Sequence, residues 1–128
     1  MSSWTDDELR RIADATELQL APRQSDGTLG TYTTMWVVGV EDELYVRSAG
    51  GPNRPWYRHA LAAGTGRIRA GDVERDVIFD AADPAIHDAV DASYHAKYDR
   101  HGPGPVSHVT RPDANAVTIR LVHWHDID

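Results

Sequence analysis

The segment TYTTMWVVGVEDELYVRS, residues 31–48, carries the strongest strand pattern in the chain. Residues 31–40 are rich in β-branched and aromatic side chains, which are enriched in strands. Glu41-Asp42-Glu43 then forms a short polar link to a second apolar run at residues 44–48. Two such runs joined by so short a link predict an antiparallel hairpin.

The segments on either side of this hairpin predict further strands. Residues 17–21 alternate polar and apolar positions and end at Pro22, and Ser25-Asp26-Gly27 follows as a turn signal. Residues 67–70 and 73–80 are joined through Gly71-Asp72, a link that favours a hairpin. Residues 117–124 form the last strand, so the sequence predicts about six strands, most of them joined by hairpins.

Three helices are predicted around these strands. Thr5-Asp6-Asp7-Glu8 has capping-box spacing and starts the first helix, with Trp4 and Leu9 placed as a hydrophobic staple. The second covers residues 55–63, with a proline near its start and a glycine as its stop. The third opens at Asp83-Pro84 and repeats apolar or aromatic residues on one face: Ile86, Ala89, Val90, Tyr94 and Tyr98. We therefore expect an α+β, mainly β fold built on a six-stranded antiparallel barrel with flanking helices.

Length and charge restrict the class of protein. The 128 residues fit one domain, residues 1–128. Thirteen Lys and Arg against 20 Asp and Glu give a net charge of −7, which disfavours binding to nucleic-acid phosphates. Absence of cysteine excludes disulfides and thiol catalysis, and no apolar run is long enough for a membrane span. We expect a cytoplasmic protein with no nucleic-acid or membrane partner.

Positive charge is concentrated in one part of the chain. Residues 44–71 contain no Asp or Glu and carry five arginines, namely Arg47, Arg54, Arg58, Arg67 and Arg69. The planar guanidinium suits bidentate binding of phosphate or carboxylate. Two interpretations stay open: these arginines pair with acidic side chains elsewhere, or they form a local anion site.

Several short motifs, in their order and spacing, resemble one superfamily. They are Thr33-Thr34-Met35-Trp36-Val37-Val38, then Asp42-Glu43-Leu44-Tyr45-Val46-Arg47-Ser48, then Gly50-Gly51, and then Trp56-Tyr57-Arg58. Together they resemble the flavin- and deazaflavin-binding split-barrel superfamily, which is pyridoxamine-phosphate-oxidase-like. The chain is most similar to an uncharacterised bacterial branch, the domain-of-unknown-function family 2255, and next to the deazaflavin-dependent nitroreductases. The resemblance covers roughly residues 29–122.

The resemblance implies a six-stranded split β-barrel that holds FMN or the 8-hydroxy-5-deazaflavin coenzyme in a groove. The relatives' phosphate position corresponds here to Arg47, Ser48, Gly50 and Gly51, flanked by Trp56, Tyr57 and Arg58. The strand carrying Thr33, Thr34 and Trp36 would face the ring system. Tyr94 and Tyr98 would line the substrate pocket, where a phenol can donate a proton or hydrogen bond.

The main functional expectation is an oxidoreductase that transfers hydride to a small organic acceptor. The chain departs from its relatives at Gly30-Thr31, where they carry a basic residue, and at His59-Ala60, where they often carry Asn. These departures motivate one alternative, a non-redox split barrel that binds a small ligand and needs no cofactor. A cofactor-free lyase or cyclase that uses the histidines and tyrosines of the groove is a second alternative, to be tested at His59 and His95. Because split barrels often place the groove between two copies, a homodimer is also expected.

Two histidine patterns have metal-ligand spacing. His87, Asp91 and His95 fall at i, i+4 and i+8 on the third helix, and His123 and His125 share one side of the last strand. The simpler interpretations are a solvated helix face and an exposed chain end. We favour those interpretations and predict no metal site.

Overall fold

The computed structural model describes residues 3–49, 51, 53–102, 106–107, 109–110 and 117–124. Within them, the helices are α1 (Asp6–Asp14), α2 (Pro55–Ala63) and α3 (His87–Tyr98). The strands are β1 (Leu18–Pro22), β2 (Thr33–Met35), β3 (Val38–Val40), β4 (Glu43–Arg47), β5 (Thr65–Ala70), β6 (Val73–Ala81) and β7 (Thr118–His123). Short 3₁₀ helices at Pro84–Ile86 and Asp99–His101 flank α3. No helix among these residues is long and apolar enough to cross a bilayer.

The local signals for helix ends and hairpins are confirmed. At the start of α1, Glu8 N–H donates to Thr5 Oγ1 at 3.1 Å and Thr5 N–H donates to Glu8 Oε1 at 2.9 Å, which completes the predicted capping box. Helix α2 ends at Gly64, whose φ of +73° is the left-handed conformation that favours glycine at a helix stop. Strands β5 and β6 pair down to Ala70 opposite Val73, as the predicted hairpin requires.

The strand count is corrected from six to seven among the described residues. The single strand predicted over residues 31–40 is divided into β2 and β3, with Trp36 and Val37 between them. The sheet order is β2-β1-β5-β6-β7-β4-β3, so these two short strands form its opposite edges. One continuous segment therefore supplies both edges of the sheet.

This topology requires the sheet to curl. Met35 and Val38 are three residues apart, so their Cα atoms lie within about 11 Å of each other. A flat sheet of seven strands would separate its edges by about 29 Å, at about 4.8 Å for each neighbouring pair. The all-antiparallel sheet is accordingly a curled, barrel-like sheet, and the expected α+β class is confirmed.

The break between β2 and β3 is held by α3. Val37 lies outside both ladders and is fully buried, so its peptide groups need other partners. Its N–H donates to Tyr98 Oη at 3.2 Å, and its carbonyl accepts from Lys97 Nζ at 2.7 Å. Tyr98 Oη donates in turn to the Thr16 carbonyl at 2.7 Å, and its ring stacks on Trp36 at 4.0 Å. We call this set of contacts the seam.

Buried side chains form two clusters on the two faces of the sheet. Strand β4 contributes to both, because successive side chains of a strand point to opposite faces. Leu44 and Val46 belong to the interior cluster with Ile68, whereas Tyr45 packs with Tyr94 in the cluster under α3. This alternation decides which side chains of β4 can reach a ligand site and which are covered by α3.

The last strand ends in packed structure, which corrects the expectation of an exposed histidine there. His123 stacks on Trp4 with ring centroids 4.9 Å apart, and its side chain is 13% exposed. Trp4 Nε1 donates to the Leu121 carbonyl at 2.9 Å and so ties the N-terminal segment to β7. His125 lies outside the described residues.

The seam predicts unequal effects for two matched substitutions. Tyr98→Phe leaves the Val37 N–H and the Thr16 carbonyl without their partner, so the free energy of unfolding should fall by about 1–3 kcal/mol. Tyr94→Phe removes an equally buried hydroxyl that makes no hydrogen bond to the described residues, so it should leave stability unchanged or raise it. Urea unfolding of both variants measures the difference. Equal losses would contradict the assignment.

The sole lysine of the chain gives a second prediction. Burial lowers the pKa of Lys97 to about 8, against the opposing effect of Asp14. The unfolded chain therefore binds more protons than the folded one between pH 8 and about 10.4, and stability should rise with pH across that window. The ¹³C NMR signal of the reductively methylated lysine should titrate near pH 8 in the folded protein and near its ordinary pKa in urea. A folded pKa near 10.5 would refute the prediction.

Candidate functional site

A groove lies between the tip of the β1–β2 hairpin and helix α2. Its volume is about 890 Å³, within the range of roughly 300–1,000 Å³ found for ligand pockets. It is lined by Pro22, Arg23, Gln24, Ser25, Gly30, Thr31, Thr33, Pro55, Trp56, His59, Ala62, Ala63 and Thr65. Its lining combines apolar side chains with hydroxyl and amide groups.

The hairpin tip that forms one wall is tightly hydrogen-bonded. Gln24 N–H donates to the Thr28 carbonyl and Gly30 N–H to the Pro22 carbonyl, both at 2.7 Å. A Cβ on Gly30 would lie 3.3 Å from that Pro22 oxygen, so a larger residue would have to displace the neighbouring backbone. The turn predicted at residues 25–27 is present, and backbone hydrogen bonds hold this wall of the groove in place.

The opposite wall is one face of α2. Trp56, His59 and Ala63 recur at helical spacing and line the groove, while Tyr57 and Ala60 are buried in the interior cluster. Trp56 meets the Tyr57 ring edge-on at 5.8 Å. Burial raises the pKa of the Tyr57 phenol. Of the predicted pair, Trp56 therefore faces the groove and Tyr57 packs in the core.

The charge of the groove differs from that of the whole molecule. None of the described residues that line it is acidic, although the chain carries a net charge of −7. Its charged or titratable members are Arg23 on the hairpin tip and His59 on α2. An anionic ligand would therefore meet no like charge on the walls.

Strand β2 brings one of its predicted residues into the groove. Thr33 lines it, whereas Thr34 points to the outer surface, where its Oγ1 lies 3.5 Å from Gln19 Nε2. Trp36 packs with the cluster under α3 and stacks on Tyr98. The period of two along a strand separates these neighbours, so the motif's three residues cannot all face one ligand.

Arg47, the first residue of the predicted phosphate position, lies away from the groove. Its side chain is fully buried, and its guanidinium donates to Thr118 Oγ1 at 2.8 Å, the Val109 carbonyl at 2.6 Å, His87 Nδ1 at 2.9 Å and the Asp91 carboxylate. Arg47 shares the outer face of β4 with Tyr45 and lies under α3. Its charge is compensated inside the protein, and it does not line the groove.

The loop after β4 is also closed on itself. Ser48 Oγ donates to the Gly51 carbonyl at 2.6 Å, and Gly51 N–H donates back to the Ser48 carbonyl at 3.0 Å. These two predicted phosphate ligands thus use each other as partners. Gly50 lies outside the described residues. Arg58 is exposed on α2 but does not line the groove.

The two tyrosines predicted to shape an acceptor pocket lie in the core. Tyr94 and Tyr98 lie on the buried face of α3, where both are fully buried, and neither lines the groove. Burial raises the pKa of Tyr94 and raises that of Tyr98 to about 12, so neither phenol is tuned for proton transfer near neutral pH. In this structure both side chains pack in the core, away from the groove where the prediction would need them.

The histidine pattern on α3 is explained by Arg47. His87, Asp88 and Asp91 offer ligand atoms within 4.8 Å of one another, but the Arg47 guanidinium binds His87 and Asp91 and already supplies a cation there. Because arginine only donates, His87 Nδ1 accepts, and its Nε2–H lies 3.5 Å from Asp91 Oδ2. These two residues are half-buried, which corrects the expectation of a solvated face.

His95 and His59 lie on different helices and share no site. His95 is exposed and pairs with Asp99 at 2.9 Å, whereas His59 lines the groove. Of the two histidines to be substituted in a test of the lyase or cyclase alternative, His59 lies at the groove and His95 does not. His59 remains as the imidazole available to a ligand.

Sequence reasoning missed Arg23, treated Gly30 and Thr31 only as departures from the family pattern, and considered His59 otherwise only for the lyase or cyclase alternative. All four line the groove. The departures at Gly30, Thr31 and His59 could have indicated the groove, because a residue that differs from the family pattern at a ligand site changes what the ligand contacts. Arg23 gave no such signal, since it is a lone basic residue outside the arginine-rich segment.

Comparison with known proteins now adds to this geometry. A family model described as "Uncharacterized protein conserved in bacteria (DUF2255)" matches residues 8–121. A solved structure described as "F420 Reductase" has a TM-score of 0.55 at 20% identity, over 91% of this chain and 92% of its own. The "Structure of the FAD and Heme binding protein from Mycobacterium smegmatis" has a TM-score of 0.52 at 16% identity, over 98% of this chain and 69% of its own. At these identities the likeness shows the fold alone. No curated protein matches the chain.

The burial of Arg47 predicts a structural effect of its loss. Arg47→Met leaves the half-buried Asp91 carboxylate without its cation, and the free energy of unfolding should fall by about 3 kcal/mol. Arg10→Met removes the exposed partner of Asp7 and should cost less than about 1 kcal/mol. Chemical denaturation of the two variants gives both values. A loss in Arg47→Met no larger than in Arg10→Met would contradict the buried role.

Proposed function

Because the chain belongs to the DUF2255 family of uncharacterised bacterial proteins and shares its fold with an F420 reductase and a FAD- and heme-binding protein, we propose that its groove binds a flavin-type cofactor. The cofactor is FMN or the 8-hydroxy-5-deazaflavin coenzyme, and the activity is hydride transfer to a small organic acceptor. The observation that carries the proposal is the acid-free groove on an acidic protein.

The groove's side chains match the parts of such a cofactor. The Trp56 ring with Pro55 offers flat apolar area to a planar ring system. Thr31 and Thr33 offer hydroxyls to a polyol chain, and Arg23 offers a cation to a phosphate. Helix α2 also starts at this wall with no acidic residue in its first turn and no side-chain cap, which favours a nearby anion.

The protein's own contribution would be binding, orientation and proton supply. When bound, the reduced cofactor supplies two electrons and a proton as hydride, and the acceptor takes one further proton. His59 is the groove residue whose imidazole would supply that proton. The walls of the groove would exclude water from one face of the bound ring system.

A second candidate is favoured by the burial of Tyr94 and Tyr98. With both phenols in the core, the groove lacks the predicted proton donors, and the same walls could bind a planar anion without redox chemistry. Cofactor binding without any accelerated oxidation of reduced FMN or reduced deazaflavin by a quinone acceptor would favour this candidate. The homodimer remains a prediction.

Binding itself gives the main test. Titration of the purified protein with FMN and with the deazaflavin coenzyme, followed by quenching of the cofactor's fluorescence, should give micromolar or tighter dissociation constants. Trp56→Ala should weaken binding by about 10-fold, the scale of one aromatic contact. Leu61→Ala, on the exposed face of the same helix, is the matched control and should bind as the unmodified chain does. Millimolar or absent binding of both cofactors would refute the proposal.

A further inference from the structure

Beside the groove, one carboxylate that is not part of its lining is shared by two arginines. Asp76 Oδ1 accepts from Arg23 Nη2 at 3.1 Å and from Arg67 Nε at 2.9 Å. The neighbouring Arg69 forms an ion pair with Glu74, whose carboxylate oxygen lies 4.0 Å from Arg69 Nη1, and the two charges cancel. Because Arg23 and Arg67 share one carboxylate, these three guanidinium groups and two carboxylates together carry a net charge of +1.

Arg23 is the member of this group that reaches the groove. Its Nη1 donates to the Gly27 carbonyl at 3.0 Å, and its guanidinium carbon lies 5.8 Å from the centre of the Trp124 ring. With Asp76, these contacts fix the guanidinium in place and use two of its five N–H donors. Its Nε is buried and has no hydrogen-bond partner among the described residues. Arg23 is thus oriented in advance and keeps donor capacity for a ligand.

Arg47, the arginine first assigned to the phosphate, is used elsewhere. The Arg47 guanidinium is buried against Asp91, and the backbone after it closes into the turn between Ser48 and Gly51. Across the groove from Arg23 the titratable lining residue is His59, which is neutral or positive. No lining residue among those described is acidic, and the Asp76 carboxylate beside Arg23 is bound by two guanidinium groups.

We propose that Arg23 binds the phosphate group of the groove's ligand, with Asp76 holding the guanidinium from behind. The inference rests on the proposed function and specifies it: the ligand is a phosphorylated planar heterocycle, and its phosphate lies at the β1–β2 hairpin tip. The sequence motif had pointed instead to the loop after β4. Phosphate is the group that FMN and the deazaflavin coenzyme share, and riboflavin lacks it.

The experiment compares FMN with riboflavin. The unmodified protein should bind FMN at least about 10-fold more tightly than riboflavin, a difference of about 1.4 kcal/mol. Arg23→Gln should weaken FMN binding by about that factor and leave riboflavin binding unchanged, so that the preference disappears. Arg23→Lys keeps the charge and should keep most of the preference. Arg10→Gln removes one exposed positive charge on α1 and should leave both affinities unchanged.

Competition provides an arm that needs no variant. Millimolar inorganic phosphate, at ionic strength matched with potassium chloride, should weaken FMN binding and leave riboflavin binding unaffected. This arm remains decisive if Arg23→Gln fails to fold, which circular dichroism would show. Equal affinity for FMN and riboflavin, or a preference that survives Arg23→Gln, would overturn the assignment of Arg23 and leave the proposed function standing. Absence of binding by FMN, by riboflavin and by the deazaflavin coenzyme would instead refute the proposed function.

Discussion

The fold depends on one segment being part of both edges of the sheet. Because β2 and β3 are separated only by Trp36 and Val37, the curled sheet can form only if the peptide groups at that break find partners away from a strand ladder. Tyr98 and Lys97 of α3 supply them. Helix α3 is therefore fixed against the β3–β4 hairpin, and the surface it covers is removed from any ligand site.

Because α3 covers this face of the sheet, Arg47 and the polar residues around it bind one another inside the protein. Arg47 and Tyr45 alternate with Leu44 and Val46 along β4, so they lie on the face that α3 covers. A buried guanidinium needs a carboxylate and several acceptors, and His87, Asp91 and Thr118 are the residues that meet this need. The spacing of His87 and Asp91 on α3 reflects the demands of one buried cation.

Much of the fold was predictable because its signals are local. The capping box at Thr5 and Glu8, the glycine stop of α2 and the link at Gly71-Asp72 each act within a few residues, and all three are present. The break at Trp36 and Val37 was not predictable, since both residues favour strands and their separation depends on Tyr98, some sixty residues away. Periodicity identified Tyr94 and Tyr98 as one face of a helix but could not show that this face is buried.

The candidate site was predictable in its charge more than in its residues. The acid-free stretch does supply α2, with Trp56 and His59, to a groove without acidic walls. The arginines of that stretch, however, are partly used by the fold, since Arg47 binds Asp91 and Arg67 binds Asp76. Because Asp76 binds both Arg67 and Arg23, its single negative charge cannot neutralise both guanidinium groups. Arg23 is the arginine that lines the groove, although it lies outside the acid-free stretch that first suggested an anion site.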